Sequence, residues 1–120
     1  MVLEGIFYKV IKIEKPEENS YNVEVELNPE HEIYEGHFPE QPVVPGVCTL
    51  TIIRESLTKV LGKEVIFESI KECKYISALI PEKNLKIMLK LKIIDTIGLR
   101  GTVVRIKDEQ TVLKLRATLR

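Results

Sequence analysis

The strongest constraint on this chain is a single run of helical period set among stretches of strand period. From Gly46 to Leu61, the residues Val47, Leu50, Ile53, Leu57 and Val60–Leu61 recur at helical spacing. Ile52 widens that face, so the helix is apolar around much of its circumference and needs more than one neighbour to bury it. Gly62 follows as a C-cap. On either side the period is two. Tyr21, Val23, Val25 and Leu27 alternate with Asn22, Glu24 and Glu26, and Leu85, Ile87, Leu89, Leu91 and Ile93 stand against Lys86, Lys90 and Lys92. In the last stretch Leu113, Leu115, Ala117 and Leu119 oppose Lys114, Arg116 and Thr118. Strands with one polar face imply a mostly antiparallel sheet. The helix must lie on the apolar face, and a strongly curved sheet wrapping it meets both demands.

Extended stretches are expected at residues 4–14, 21–27, 64–77, 85–94, 99–107 and 111–119. The first two form a hairpin through a loop of about five residues, Lys15–Asn19. The predicted order is β-β-loop-α-β-β-β-β, an α+β class. At 120 residues and 44% hydrophobic, the chain can build one core but not two. With no repeat or linker, it is expected to be one domain over 1–120.

Eighteen basic residues balance eighteen acidic ones, so overall charge makes no case for nucleic acid or for an anionic membrane. No stretch approaches the ~20 apolar residues of a spanning helix. The N-terminus reads as a strand and not as a signal peptide. Cys48 and Cys73 fit a reducing cytoplasm, and two histidines argue against a histidine-rich metal site. A cytoplasmic protein is expected, with no membrane, nucleic-acid or metal partner.

Between Asn28 and Pro45 the periodicity stops, as Pro29, Pro39, Pro42 and Pro45 forbid a long regular element. A short helical turn is expected near His31–Glu35. Long ordered loops in small domains are often functional. Here the prolines stiffen the approach to the helix, and Gly46 lets a ligand come close to the backbone. The first helical N–H groups lack internal partners and form a donor site with a partial positive charge, suited to a polarised carbonyl. His37 lies on the loop leading to them and is the natural proton carrier at neutral pH.

Gly36-His37-Phe38-Pro39, followed by Pro42 and Pro45-Gly46-Val47, resembles the signature of the hot-dog 3-hydroxyacyl-acyl-carrier-protein dehydratases in residues and spacing. The order of elements agrees, so the resemblance spans nearly the whole chain. Tyr75 to Asn84 resembles the family's strand and turn after the helix, with Glu82-Lys83 where Gly-Asp is usual. The resemblance implies a sheet wrapped on one long helix, and a homodimer joined edge to edge with the acyl tunnel at its interface. It implies no cofactor beyond the phosphopantetheine of an acyl carrier protein or coenzyme A that carries the substrate. His37 would remove the α-proton of a 3-hydroxyacyl thioester, and the Gly46 N–H would polarise its carbonyl. Phe38, Pro45 and Val47 would line the site.

The family's assisting carboxylate falls at Thr51, whose hydroxyl is not acidic near neutral pH but can hold a water or a substrate hydroxyl. Glu55 lies one turn further on the same side and leans back toward the helix start. It is either the replacement carboxylate or a surface charge. A hot-dog thioesterase and a non-catalytic acyl- or carrier-binding subunit are the competing readings. His31 reads as a surface loop residue, and Cys48 as a small buried hydrophobe.

Overall fold

Among the described residues the apolar helix has no second α-helix to pack on, so the sheet is its large partner, and the chain builds that arrangement. The structure, a computed structural model, describes residues 2–34 and 43–120. Its elements are β1 (Tyr8–Glu17), β2 (Ser20–Leu27), a short 3-10 turn (Glu32–Tyr34), α1 (Gly46–Leu61), β3 (Phe67–Tyr75), β4 (Lys86–Ile94), β5 (Gly98–Arg105) and β6 (Gln110–Leu119). The strands form one antiparallel sheet in the order β1-β2-β4-β5-β6-β3, which leaves β1 and β3 as its edges. This is the curved six-stranded sheet and single helix of the hot-dog fold.

The inner face carries the alternating residues. Val23, Val25, Ile87, Leu89, Val103 and Leu113 are fully buried, and Ile52, Ile53 and Leu57 of α1 join the same core. Along α1 only Val47 and Lys59 are exposed. Gly62 ends the helix at φ 71, its N–H donating to the Thr58 carbonyl at 3.0 Å. Among the described residues no helix is long and apolar enough to cross a membrane.

Two expectations change at the N-terminus. The loop of the first hairpin is a two-residue turn, Glu18–Asn19, with Asn19 at φ 64 in the left-handed region. Pro16 therefore lies inside β1, where an edge strand and a register shift between Glu14 and Glu17 tolerate its missing N–H. The first strand also begins later than expected, at Tyr8. Residues 4–7 are a turn with Gly5 at φ 90, and the Phe7 N–H donates to the Leu3 carbonyl at 2.8 Å.

Glu55 of α1 holds that turn in place. Its carboxylate accepts hydrogen bonds from the Leu3 N–H at 2.8 Å, the Glu4 N–H at 3.0 Å and the Tyr8 hydroxyl at 2.9 Å. Arg54 lies 3.8 Å from the same carboxylate. Phe7 and Leu3, fixed by this anchor, are buried beneath the sheet and helix. A buried carboxylate with three donors is satisfied, and removing it strands all three.

Replacing Glu55 with Ala is expected to lower the unfolding free energy by about 2–4 kcal/mol, read by urea denaturation. Tyr8 contributes a pH dependence. Burial, and then the hydrogen bond to Glu55, push its phenol far above the ordinary 10.0. The folded state therefore holds this proton more tightly than the unfolded state does. Its stabilisation is complete below pH 10 and is lost as the pH rises further. Tyr8→Phe should show a shallower loss of stability above pH 10 than the wild type. Tyr34, pushed up to about 12 by burial, accounts for part of the slope that remains.

Candidate functional site

Among the described residues the start of α1 is uncapped. Pro45 precedes it with extended backbone, φ −61 and ψ 138, and its side chain makes no capping hydrogen bond. The first intrahelical bonds run from the Cys48 and Thr49 N–H groups to the Pro45 carbonyl, at 3.0 and 3.3 Å. The N–H groups of Gly46 and Val47 have no acceptor among the described residues. They are the positive end of the helix, and two aligned donors there favour an oxygen carrying negative charge. The approach is fixed by the Val44 N–H, which donates to the Leu79 carbonyl at 2.8 Å.

Tyr75, the last residue of β3, lies across this end. A Cβ built on Gly46 would meet Cε1, Cζ and Oη of the Tyr75 ring, each at 2.6 Å, so only glycine lets the ring rest there. Burial first, then a hydrogen bond with Cys73, push the phenol up to about 12. A phenol keeps its proton at neutral pH and can donate it in a hydrogen bond. Gly46, Tyr75, Thr49, Val44, Leu79 and Val112 border a cavity of about 280 Å³. Its walls are mainly apolar, as an acyl chain requires, and Gly46 and the Tyr75 and Thr49 side chains are part of its lining.

Gly46, Pro45 and Val47 thus stand together at the helix start, Val47 with its side chain 68% exposed. Thr51 is one turn further on, its hydroxyl donating to the Val47 carbonyl at 2.9 Å. That bond uses the hydroxyl proton and leaves the oxygen as an acceptor. Glu55 is held at the N-terminal turn, and it borders a different cavity, with Glu4, Arg54, Thr58 and Lys59. His37 and Phe38 lie outside the described residues.

Cys48 is buried, and burial pushes its thiol up, away from nucleophilic use. His31 is more structural than a loop position suggests. Its Nδ1 accepts the Ile33 N–H at 3.1 Å, and its ring meets Phe7 edge-on at 5.3 Å.

Tyr75 and the buried Thr49 carry no role in the sequence reading. Tyr75 falls within the stretch that resembles the family's strand after the helix, but no spacing connects residue 75 to residue 46. Their juxtaposition comes from β3 crossing to the far edge beside β6. The turn before β4 resolves its own oddity: Asn84 adopts φ 63, supplying the left-handed residue that Glu82-Lys83 lacks.

The family model of ApeI-like proteins, described as ApeI dehydratase, matches residues 13–111. Two curated relatives are 3-hydroxyacyl-acyl-carrier-protein dehydratases FabZ. The one from Clostridium acetobutylicum is 26% identical over 68% of this chain and 63% of its own length. The one from Ligilactobacillus salivarius is 30% identical over 66% of this chain and 62% of its own. The chain therefore spans just under two thirds of the length of these relatives. Among solved structures, the dehydratase heterocomplex ApeI:P from Xenorhabdus doucetiae superposes with a TM-score of 0.78 at 24% identity, covering 92% of this chain and 95% of that one. An uncharacterized protein from Erwinia carotovora subsp. atroseptica gives 0.66 at 24% identity, with 92% and 91% covered. These two likenesses bear on the fold alone. The family match runs from β1 into β6, and the chain belongs to the ApeI-like dehydratase family.

Proposed function

We propose that the protein is a hydro-lyase that removes water from a 3-hydroxyacyl thioester, carried on the phosphopantetheine of an acyl carrier protein or of coenzyme A. It works in the cytoplasm as a homodimer. The observation that carries this reading is the Gly46 amide, without an acceptor among the described residues, beside an apolar cavity that Gly46 lines, in a member of a dehydratase family.

The thioester oxygen sits on that amide, and the acyl chain fills the cavity. His37 takes the α-proton, and the electron pair moves onto the thioester oxygen as an enolate, which the helix start stabilises. The pair then returns to form the α,β double bond, and the 3-hydroxyl leaves. Its proton comes from the Tyr75 phenol, and the imidazolium of His37 restores that phenol. A phenol is a stronger acid than water, whose pKa is about 15.7, so it can protonate a departing hydroxide. Thr51, left with a free acceptor, orients the 3-hydroxyl. Glu55 keeps its structural task.

The second protomer pairs along β3. That edge exposes Ile66, Ile70, Tyr75 and Ile76, and Val47 projects beside it. A free edge strand bearing large apolar side chains invites another strand. Pairing there also covers the mouth of the cavity.

Incubation with a 3-hydroxyacyl thioester of N-acetylcysteamine should give an unsaturated thioester of unchanged thiol content. Release of free thiol would favour a thioesterase, and the absence of any product with intact binding would favour an accessory subunit. His37→Ala should lower kcat about 100-fold or more, and undiminished turnover would reject the assignment. Tyr75→Phe should lower kcat about tenfold or more with an unchanged Tm, because only the donor proton is lost. Sedimentation should report a dimer that Ile70→Lys converts to monomer.

A further inference from the structure

Among the described residues, three side-chain hydroxyls line the cavity beside Gly46: those of Thr49, Tyr75 and Ser77. They are not equivalent. Ser77 donates its proton to the Thr111 carbonyl at 2.8 Å. Tyr75 serves the reaction as its proton donor. The Thr49 hydroxyl has no partner among the described residues, although the residue is only 3% exposed.

A helical threonine ordinarily settles its hydroxyl on a carbonyl one turn back. Thr51 does so, donating to the Val47 carbonyl at 2.9 Å. For Thr49 that carbonyl belongs to Pro45, which already accepts the Cys48 N–H at 3.0 Å and the Thr49 N–H at 3.3 Å. Both of its lone pairs are taken, because α1 begins there and one carbonyl serves two amides. The helix start thus denies Thr49 its usual acceptor. The other walls supply no substitute side chain, being Val43, Val44, Ile76, Ala78, Leu79 and Val112. Backbone groups among them are paired with one another: the Val44 N–H with the Leu79 carbonyl at 2.8 Å, and the Ile76 and Ser77 N–H groups with the Val112 carbonyl at 2.8 and 3.3 Å.

In an open cavity bulk water can serve such a hydroxyl. An alkyl chain that fills the cavity excludes water and strands it, and a stranded buried hydroxyl is costly. A chain with an oxygen at that point avoids the cost. Pockets with a polar group of their own reject the analogue that lacks its partner far better than apolar pockets reject an added hydroxyl.

The helix sets where that oxygen falls. Gly46 and Thr49 are three residues apart and share a face, which separates their side-chain positions by about 5–6 Å. With the thioester oxygen on the Gly46 amide, a zigzag chain running along the helix covers that distance in roughly four bonds of ~1.5 Å. Thr49 then meets the chain near its fifth carbon. This is beyond the 3-hydroxyl, which Tyr75 and Thr51 serve.

We infer that Thr49 determines specificity: the cavity takes an acyl chain carrying a second oxygen, as hydroxyl, carbonyl or ether, near its fifth carbon in preference to a plain alkyl chain. The threonine hydroxyl donates to any of the three and also accepts from a hydroxyl. The inference rests on the thioester reading of the site and adds the class of acyl chain.

The probes are the N-acetylcysteamine thioesters of 3-hydroxyhexanoate and of its 5-oxa analogue, in which an ether oxygen replaces the fifth carbon. The two match in size, and the ether cannot lactonise as a free 5-hydroxyl would. Wild type is expected to favour the 5-oxa chain about tenfold in kcat/KM. Thr49→Val keeps the shape and removes the hydroxyl. It should abolish the preference by lowering kcat/KM for the 5-oxa chain and raising it for the alkyl chain, with a Tm equal to or above that of wild type. Thr49→Ser should keep the preference. A wild type that does not discriminate, or a valine variant that discriminates as wild type does, would overturn the inference. If neither substrate is dehydrated, the dehydratase reading fails by itself. Calorimetric titration with the hexanoyl and 5-oxahexanoyl thioesters, neither bearing a 3-hydroxyl, then decides the role of Thr49. Tighter binding of the 5-oxa chain that disappears in Thr49→Val supports it, and equal or absent binding rejects it.

Discussion

A helix of 16 residues with only Val47 and Lys59 exposed has to be enclosed, and one sheet has to do the enclosing. That single demand shapes the molecule. The sheet curves so that Val23, Val25, Leu89 and Leu113 reach Ile52, Ile53 and Leu57 from several directions. The remaining gap is closed by the N-terminal turn, which brings Phe7 and Leu3 into the core. A polar anchor is required there, because the turn's amides enter a region without water. Glu55 supplies it with both carboxylate oxygens.

Enclosure also decides where chemistry can occur. With its sides committed to packing, the helix offers a ligand its N-terminal end. Pro45 contributes no capping acceptor, and the Gly46 and Val47 amides have none among the described residues. Gly46 has no Cβ, so the Tyr75 ring can lie against it. The Gly46 amide, without an acceptor among the described residues, the Tyr75 phenol and an apolar cavity then lie together. In the proposed reaction the phenol stands in for the carboxylate that Thr51 lacks.

Much of the fold was legible from periodicity. The helix runs from Gly46 to Leu61 with its glycine cap, as its spacing predicts, because period 3.6 and period 2 are hard to confuse over such lengths. The N-terminal turn was not legible. Ile6 and Phe7 read as strand, and only Gly5 at positive φ and the distant Glu55 bend the chain there. The role of Glu55 was hidden for the same reason. A carboxylate on a helix looks alike in sequence whether it meets substrate, water or amides some fifty residues away. The Gly46 end of the site was visible in the Pro45-Gly46-Val47 motif, whereas Tyr75 depended on a crossover that no local pattern encodes.

The central claim is that the uncapped start of α1 polarises a thioester carbonyl. Isotope-edited infrared spectroscopy of a bound saturated acyl thioester, labelled with ¹³C at the carbonyl, tests it most directly. The account predicts a carbonyl band at lower frequency in the complex than in water. A band at or above its position in water would contradict it.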